Sequence, residues 1–231
     1  MIGSDDPLTD ALNDLTGPEL SCYCPCAGRD VSLALAWFGS RFDRFVFCDR
    51  GYRRENMTGR DAVPANWKRI HVVPEERRRP DERPDRSFMP KVIETWHRPD
   101  GSAVVLEFRA EPAEDCLTAR FAAGTISALL HINDGVGEGG SNLWFLGTPG
   151  QCQAQASRCL LPEVEARLAD EALIITDGML TDREFANSRP FRRNGRSWKP
   201  IADLDATRER GHGVTVWRTT LMREVQDDFA P

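Results

Sequence analysis

Residues 20–49, LSCYCPCAGRDVSLALAWFGSRFDRFVFCD, decide the fold class of this chain. The apolar run 20–26 predicts a strand, and Ala27-Gly28 ends it. Asp30 then caps a predicted helix whose apolar positions repeat at helical spacing: Val31, Leu35, Phe38 and Phe42. The run 44–49 is almost continuously apolar until Asp49, as expected of a strand covered on both faces. The order strand, glycine turn, helix, strand predicts two parallel strands joined by a crossover helix.

Outward from this segment, strands and helices continue to alternate. A helix at 7–16 has Pro7 in its first turn and Gly17 after its end. The runs 91–96 and 103–109 flank Pro99-Asp100-Gly101, a hairpin signal. The other predicted elements are a strand at 69–73, a helix at 112–122, a strand at 126–132, a helical region at 151–169 interrupted at Pro162, a strand at 172–176 and an antiparallel pair at 198–204 and 214–220.

We therefore expect a single α/β domain over residues 1–231, with an N-terminal helix inside 1–19 and a loop and hairpin insertion at 75–110. Alternating buried strands and helices predict a three-layer α/β architecture whose sheet is mainly parallel. The last two strands add an antiparallel C-terminal hairpin.

Charge and hydropathy exclude several classes of partner. The chain has 231 residues and a net charge of −6, whereas a nucleic-acid-binding domain usually presents a basic face. Its apolar runs are far shorter than the roughly 20 residues that a membrane helix needs. The first residues are acidic and show no export signal, so we expect a cytoplasmic protein with no membrane or nucleic-acid partner. The basic run 77–79 lies among acidic residues, which is typical of a solvated loop.

Three of the seven cysteines, Cys22, Cys24 and Cys26, alternate along the first strand and would share one face. Two interpretations are open. The thiols are buried as small apolar side chains, or they form part of a metal site together with His131. The spacing favours burial, because zinc sites usually have wider gaps and a second ligand pair, so we expect no metal. His131 lies within an apolar run, which favours a core side chain over a general base.

Ligands of parallel sheets bind beyond the carboxyl ends of the strands, where the strand order reverses. The residues after the predicted strands are Gly28, Asp49, the segment 133–142 and Asp177. Residues 134–142, DGVGEGGSN, follow a buried strand directly, and consecutive glycines can turn backbone N–H groups toward an anion. The alternative for this segment is a flexible surface loop. Asp49 and Asp177 have simpler alternatives as residues that cap or form turns. The segment lacks the Lys-Ser/Thr ending of a Walker loop, so nucleoside triphosphate hydrolysis is not expected.

The arrangement resembles class I S-adenosylmethionine-dependent methyltransferases, a family with a Rossmann-like α/β fold. The resemblance rests on the strand and turn at 22–30, on the strand that ends in Asp49, on His131-Ile132-Asn133-Asp134, on the run 173–178 and on the closing hairpin at 198–220. It implies a methyltransferase with a small-molecule ligand, S-adenosylmethionine as cofactor, and a set of site residues. These are Gly28, Asp30, Asp49 and Asn133 for the cofactor, Gly139, Gly140, Ser141, Asn142 and Asp177 for the substrate, and Asp134 or Glu138 as base where the acceptor must lose a proton.

One departure from the family pattern favours a different function. The family's first turn carries an acid and several glycines, but here Cys24 and Cys26 stand near the positions of the acid and the first glycine, and only Gly28 remains. A side chain in place of glycine can block the close approach of a cofactor. The alternative is a non-catalytic Rossmann-like module that binds a metabolite or a protein. A third hypothesis is a metal-dependent enzyme that uses the three cysteines and His131.

Overall fold

The structure, a computed structural model, describes residues 7–25, 27–28, 31–49, 51–75, 91–132, 161–176, 189–204 and 214–222. The described helices are α1 (Pro7–Asp14), α2 (Val31–Phe38), α3 (Ala113–Arg120) and α4 (Leu161–Glu165), with a 3₁₀ turn at Arg54–Asn56. The described strands are β1 (Ser21–Pro25), β2 (Arg44–Cys48), β3 (Lys68–Glu75), β4 (Lys91–His97), β5 (Ala103–Arg109), β6 (Ile126–His131), β7 (Leu168–Thr176), β8 (Phe191–Arg193), β9 (Arg196–Leu204) and β10 (Val214–Leu221).

These strands form one sheet in the order β3-β4-β5-β2-β1-β6-β7-β10-β9-β8. Its centre, β5-β2-β1-β6-β7, is parallel throughout. Every residue of β1 and β6 is buried, as their continuous apolar sequences require, because a parallel strand at the centre is covered on both faces. The prediction of a mixed α/β protein is confirmed, and the parallel pairing is confirmed for the centre of the sheet. The prediction that the sheet as a whole is mainly parallel is wrong, because five of the nine pairings between the described strands are antiparallel.

Antiparallel strands flank the parallel centre on both sides. Beyond β7, strands β10, β9 and β8 pair antiparallel, which confirms the predicted C-terminal hairpin. Beyond β5, strands β4 and β3 also pair antiparallel. The hairpin predicted at Pro99-Asp100-Gly101 is confirmed, and Gly101 has the positive φ of 83° that its turn requires.

The two faces of the sheet carry separate hydrophobic cores, because successive side chains of a strand point to opposite faces. In β2, Phe45 and Phe47 belong to the first core, which α1 and α2 cover. Val46 and Cys48 belong to the second core, which contains residues of α3 and Val164 of α4. None of the helices in the described part of the chain is long and apolar enough to cross a membrane.

Three further sequence predictions need correction. The predicted strand at 69–73 is present within β3, but β3 is an antiparallel edge strand, and the parallel neighbour of β2 is β5. The helical region predicted to reach residue 169 ends earlier, since β7 already begins at Leu168. The short strand β8 was not predicted, although Asn194 and Gly195 both have positive φ and form its turn to β9. The division of residues 1–231, with 75–110 as an insertion, stays a prediction.

Candidate functional site

The candidate site lies where β1, β2 and β5 end side by side. Backbone hydrogen bonds extend the pairing past the strands, because Ala27 N donates to Cys48 O at 3.0 Å and Asp49 N donates to Arg109 O at 3.0 Å. The turn after β1, the first residue after β2 and the end of β5 are therefore held in register. This edge is the one at which parallel sheets bind ligands.

The half-buried side chain of Asp49 bridges two of these turns. Its Oδ2 accepts the Gly28 N–H at 2.9 Å, and its Oδ1 accepts the Gly51 N–H at 2.6 Å. Gly28 has a φ of 47°, a left-handed conformation that favours glycine. The structure thus brings together two of the residues that the resemblance assigned to the cofactor. Asp49 also caps the turn that follows it, as the simpler interpretation expected.

A carboxylate offers about four lone pairs, two on each oxygen. The described hydrogen bonds to the Asp49 side chain use one on each oxygen. Asp49 therefore keeps acceptor capacity for a ligand hydroxyl while it holds Gly28 and Gly51 in place.

The other predicted site residues lie outside the described residues and stay predictions: Asp30, Asn133, Asp134, Glu138, Gly139, Gly140, Ser141, Asn142 and Asp177. The strands that precede two of these segments do end together. His131, the last residue of β6, is in register with Thr176, the last residue of β7. The ends of β6 and β7 therefore lie at the same edge of the sheet as Asp49.

The thiols of β1 are buried, as the sequence predicted for Cys22 and Cys24. Both belong to the first core, where their Sγ atoms lie 3.6 Å apart. His131 is fully buried, as expected of a core side chain. Leu130 belongs to the first core and Leu129 to the second, so alternation turns His131 toward the second face, away from Cys22 and Cys24.

This placement overturns the metal-site hypothesis for Cys22, Cys24 and His131, because side chains on opposite faces of a sheet cannot share an ion. Within the described part of the chain, no group of three or more His, Cys, Asp or Glu residues could hold a metal ion. The third cysteine of the run, Cys26, lies outside that part.

A neutral polar layer supports the end of β2 on the second face. Tyr23 Oη donates to the Ala113 carbonyl at 2.7 Å and lies 3.4 Å from the Sγ of Cys48, the residue before Asp49. The pKa of the Cys116 thiol is raised mainly by a hydrogen bond with Cys48 and, to a smaller extent, by burial. A thiol with a raised pKa in an apolar environment is a poor nucleophile, so Cys116 offers no reactive group here.

Sequence reasoning missed Glu111, which follows β5 at the same edge. Its Oε1 is buried with no hydrogen-bond partner among the described residues, and Arg109 Nε lies 3.9 Å away. A buried acceptor of this kind is costly unless a ligand or water satisfies it. Glu111 would have been identified as a residue that follows a parallel strand if the sequence had shown that β5 pairs with β2.

No family model matches this chain. No curated protein matches it either.

Proposed function

We propose that this protein is a Rossmann-like, S-adenosylmethionine-dependent methyltransferase whose acceptor is unknown. The observation that carries the proposal is the contact between the carboxylate of Asp49, at the end of β2, and the Gly28 amide in the turn after β1. In the family that the sequence resembles, these two positions hold the ribose and the near end of the cofactor. Here they are in direct contact at the ligand-binding edge of a parallel sheet.

The strand order supports the same proposal. From β1 the parallel strands extend to β2 and β5 on one side and to β6 and β7 on the other. The order therefore reverses next to β1, and open α/β sheets bind ligands at such a switch point. The antiparallel strand β10 next to β7 corresponds to the closing hairpin that the resemblance implies.

The described residues fit a nucleoside better than they fit a charged amino-acid group. Asp49 can accept ribose hydroxyls, and the orphaned Oε1 of Glu111 can accept a further N–H or O–H. S-adenosylmethionine would supply a sulfonium methyl group, and the protein's own contribution would be alignment of the acceptor with that group. Asp134 or Glu138 would serve as base where the acceptor must lose a proton.

One observation favours the second candidate, a non-catalytic module that binds a metabolite or a protein. Cys24 stands near the position of the family's acid, and it is a 2 % exposed thiol in the first core. It therefore offers no negative charge to the amino group of a cofactor. A protein with this substitution can keep a nucleoside pocket and lose the transfer reaction.

Calorimetry with S-adenosylmethionine and S-adenosylhomocysteine tests the proposal on the wild type, Asp49→Asn and Asp100→Asn. Asp100 is the matched control, because its Oδ1 also accepts a backbone N–H, that of Ser102 at 2.9 Å, but it lies in the hairpin at the opposite end of β5. We expect micromolar binding to the wild type and to Asp100→Asn. For Asp49→Asn we expect affinity at least tenfold weaker, a loss of about 1.4 kcal/mol.

The outcomes separate the two candidates. No binding of either compound at millimolar concentration by the folded wild type would overturn the methyltransferase proposal. Binding that Asp49→Asn leaves unchanged would remove Asp49 from the site. Tight binding of S-adenosylhomocysteine without methyl transfer to any of a broad panel of acceptors would favour the non-catalytic module.

A further inference from the structure

The connection from β2 to β3 covers the first core without an α-helix among its described residues. Residues 51–67 contain only the 3₁₀ turn Arg54–Asn56 as regular structure. Even so, Tyr52 and Met57 are buried in the first core, and Ala62 and Val63 pack against it. Non-helical backbone that covers a core needs partners for its polar groups, because buried N–H groups are rarely left unpaired.

Glu94, in the middle of β4, supplies such a partner. The residue is 1 % exposed, and its carboxylate accepts three hydrogen bonds. Thr58 Oγ1 donates to Oε1 at 2.8 Å, the Gly59 N–H donates to Oε2 at 3.0 Å, and Trp96 Nε1 donates to Oε2 at 2.9 Å. The Arg69 guanidinium lies 3.5 Å from Oε1. A buried carboxylate is tolerated only with such a set of donors.

Gly59 brings the backbone of the connection into contact with the sheet. A Cβ atom at this position would lie 2.5 Å from Leu106 Cδ1 and 3.3 Å from Glu94 Oε2. The absence of a side chain therefore lets the Gly59 N–H reach a carboxylate inside the first core.

The start of the connection from β2 to β3 is hydrogen-bonded to Asp49 of the candidate site. The Gly51 N–H donates to Asp49 Oδ1 at 2.6 Å, and the Tyr52 N–H donates to the Asp49 carbonyl at 3.2 Å. Residues 51–59 thus contact a carboxylate at each end. Gly51 contacts Asp49, which also binds Gly28, and Gly59 contacts Glu94. The first anchor is at the site, and the second is inside the core.

We propose that Glu94 is a positioning residue: by holding Thr58 and Gly59 against β4, it fixes residues 51–59 and thereby the orientation of the Asp49 carboxylate. This inference rests on the proposed function for its effect on ligand affinity. Its structural part concerns the chain alone and can be measured without a ligand.

Three variants test this role. Glu94→Met has a similar length but removes both acceptor oxygens. Glu94→Gln is the rescue, because its amide oxygen can still accept from Gly59 and Trp96 while the Thr58 hydroxyl turns to accept from the amide N–H. Thr58→Val removes one donor to Glu94, together with the acceptor of the Arg60 N–H at 3.2 Å, so Arg60 is left out of its exchange readout. It remains informative if Glu94→Met does not fold. Glu171→Met serves as the control, since Glu171 forms a partly exposed ion pair with Arg218 near the other edge of the sheet.

Hydrogen exchange followed by mass spectrometry, together with S-adenosylhomocysteine calorimetry, gives the two readouts. In Glu94→Met we expect exchange of residues 51–63 to rise about tenfold relative to β1 and β6, with at least a fivefold loss of affinity. Glu94→Gln should restore most of the protection from exchange and most of the affinity. Thr58→Val should raise exchange and lower affinity by less than Glu94→Met does. A merely structural role would lower the melting temperature without changing affinity in protein that is still folded.

Unchanged exchange of residues 51–63 in folded Glu94→Met, or in Thr58→Val if Glu94→Met does not fold, would overturn the inference. Faster exchange with unchanged affinity would overturn it too. If the wild type binds no S-adenosylhomocysteine, the proposed function fails by itself. In that case the exchange of Gly51, next to Asp49, decides whether Glu94 positions this turn: faster exchange supports the inference, and unchanged exchange overturns it.

Discussion

Glu107→Gln removes a carboxylate that binds two guanidinium groups on the second face of the sheet. Arg44 donates from Nε and Nη2 to Oε1 at 3.0 and 2.7 Å, and Arg109 donates from Nε and Nη2 to Oε2 at 3.0 and 2.6 Å. An amide has one oxygen and one NH₂ group, so in either orientation one of the two arginines would face a donor instead of an acceptor.

The magnitude follows from burial. Arg109 is 3 % exposed, and Arg44 is partly exposed. Removing one partner of a buried ion pair leaves an uncompensated charge, and this typically costs 3–5 kcal/mol. Because the exposure of Arg44 lets water compensate part of the loss, and because Glu111 stays 3.9 Å from Arg109, we expect the free energy of unfolding to fall by about 3 kcal/mol, the low end of this range.

Glu171→Gln is the matched control in urea denaturation. It makes the same chemical change in the ion pair between Arg218 and Glu171, whose side chains are 27 % and 37 % exposed, respectively. Ion pairs with this exposure contribute only about 0–1 kcal/mol to the free energy of unfolding. We expect Glu107→Gln to lower the urea midpoint well below that of Glu171→Gln, with the denaturant slope unchanged.

The pH dependence provides a second readout. Burial by itself would raise the pKa of Glu107, but the hydrogen bonds and charges of Arg109 and Arg44 outweigh it and lower that pKa in the folded state. The stabilisation is therefore fully present above the unfolded pKa of about 4.3 and is lost as the pH falls through the lower folded value. The difference in the free energy of unfolding between wild type and Glu107→Gln should be constant near neutral pH. It should shrink as the pH falls below the unfolded pKa of about 4.3. Equal urea midpoints for Glu107→Gln and Glu171→Gln at pH 7 would refute this reasoning.

Two further variants test the turns and the buried polar layer. Tyr23→Phe removes the hydroxyl that donates to the Ala113 carbonyl, and we expect a loss of about 1 kcal/mol in urea unfolding; no loss would show that this bond is not formed. Gly195→Ala forces alanine into a φ of 72°, and we expect a loss of about 1–2 kcal/mol. Its control Gly17→Ala, where a Cβ would meet only ordinary contacts from 3.7 Å, should leave the thermal midpoint unchanged, and equal midpoints for both variants would contradict the strained-turn argument.

Local sequence signals were sufficient to predict most elements of the centre of the sheet. The continuous apolar run in β2 and the glycine turn after β1 are properties of a few neighbouring residues, and the structure confirms both strands. The hairpin at Asp100-Gly101 was predictable for the same reason. The rule that ligands bind beyond the carboxyl ends of parallel strands pointed to both Gly28 and Asp49. The hydrogen bond between them was not predicted and is a finding of the structure.

The position of β5 could not be predicted from its sequence. The hairpin signal pairs β5 with β4, but nothing local specifies that its other edge pairs with β2. Moreover, Glu107 and Arg109 are charged, which is typical of a solvated face, yet both are buried as an ion pair, and Glu107 also binds Arg44. Charge compensation between residues distant in sequence carries no periodic signal, so Glu111 was missed along with the position of β5 in the sheet.

The hairpin β4–β5 has one buried carboxylate on each face, and both carboxylates bind groups associated with β2. Glu94 binds Thr58 and Gly59 of the connection that leaves β2, whereas Glu107 binds Arg44 at the start of that strand. Since β2 carries Asp49 directly after its last residue, these two carboxylates fix the strand and its outgoing chain from opposite faces. Loss of Glu107 should then lower global stability, because the ion pair lies within the sheet. Loss of Glu94 should act mainly on the connection after Asp49, because the donors that it releases belong largely to that segment.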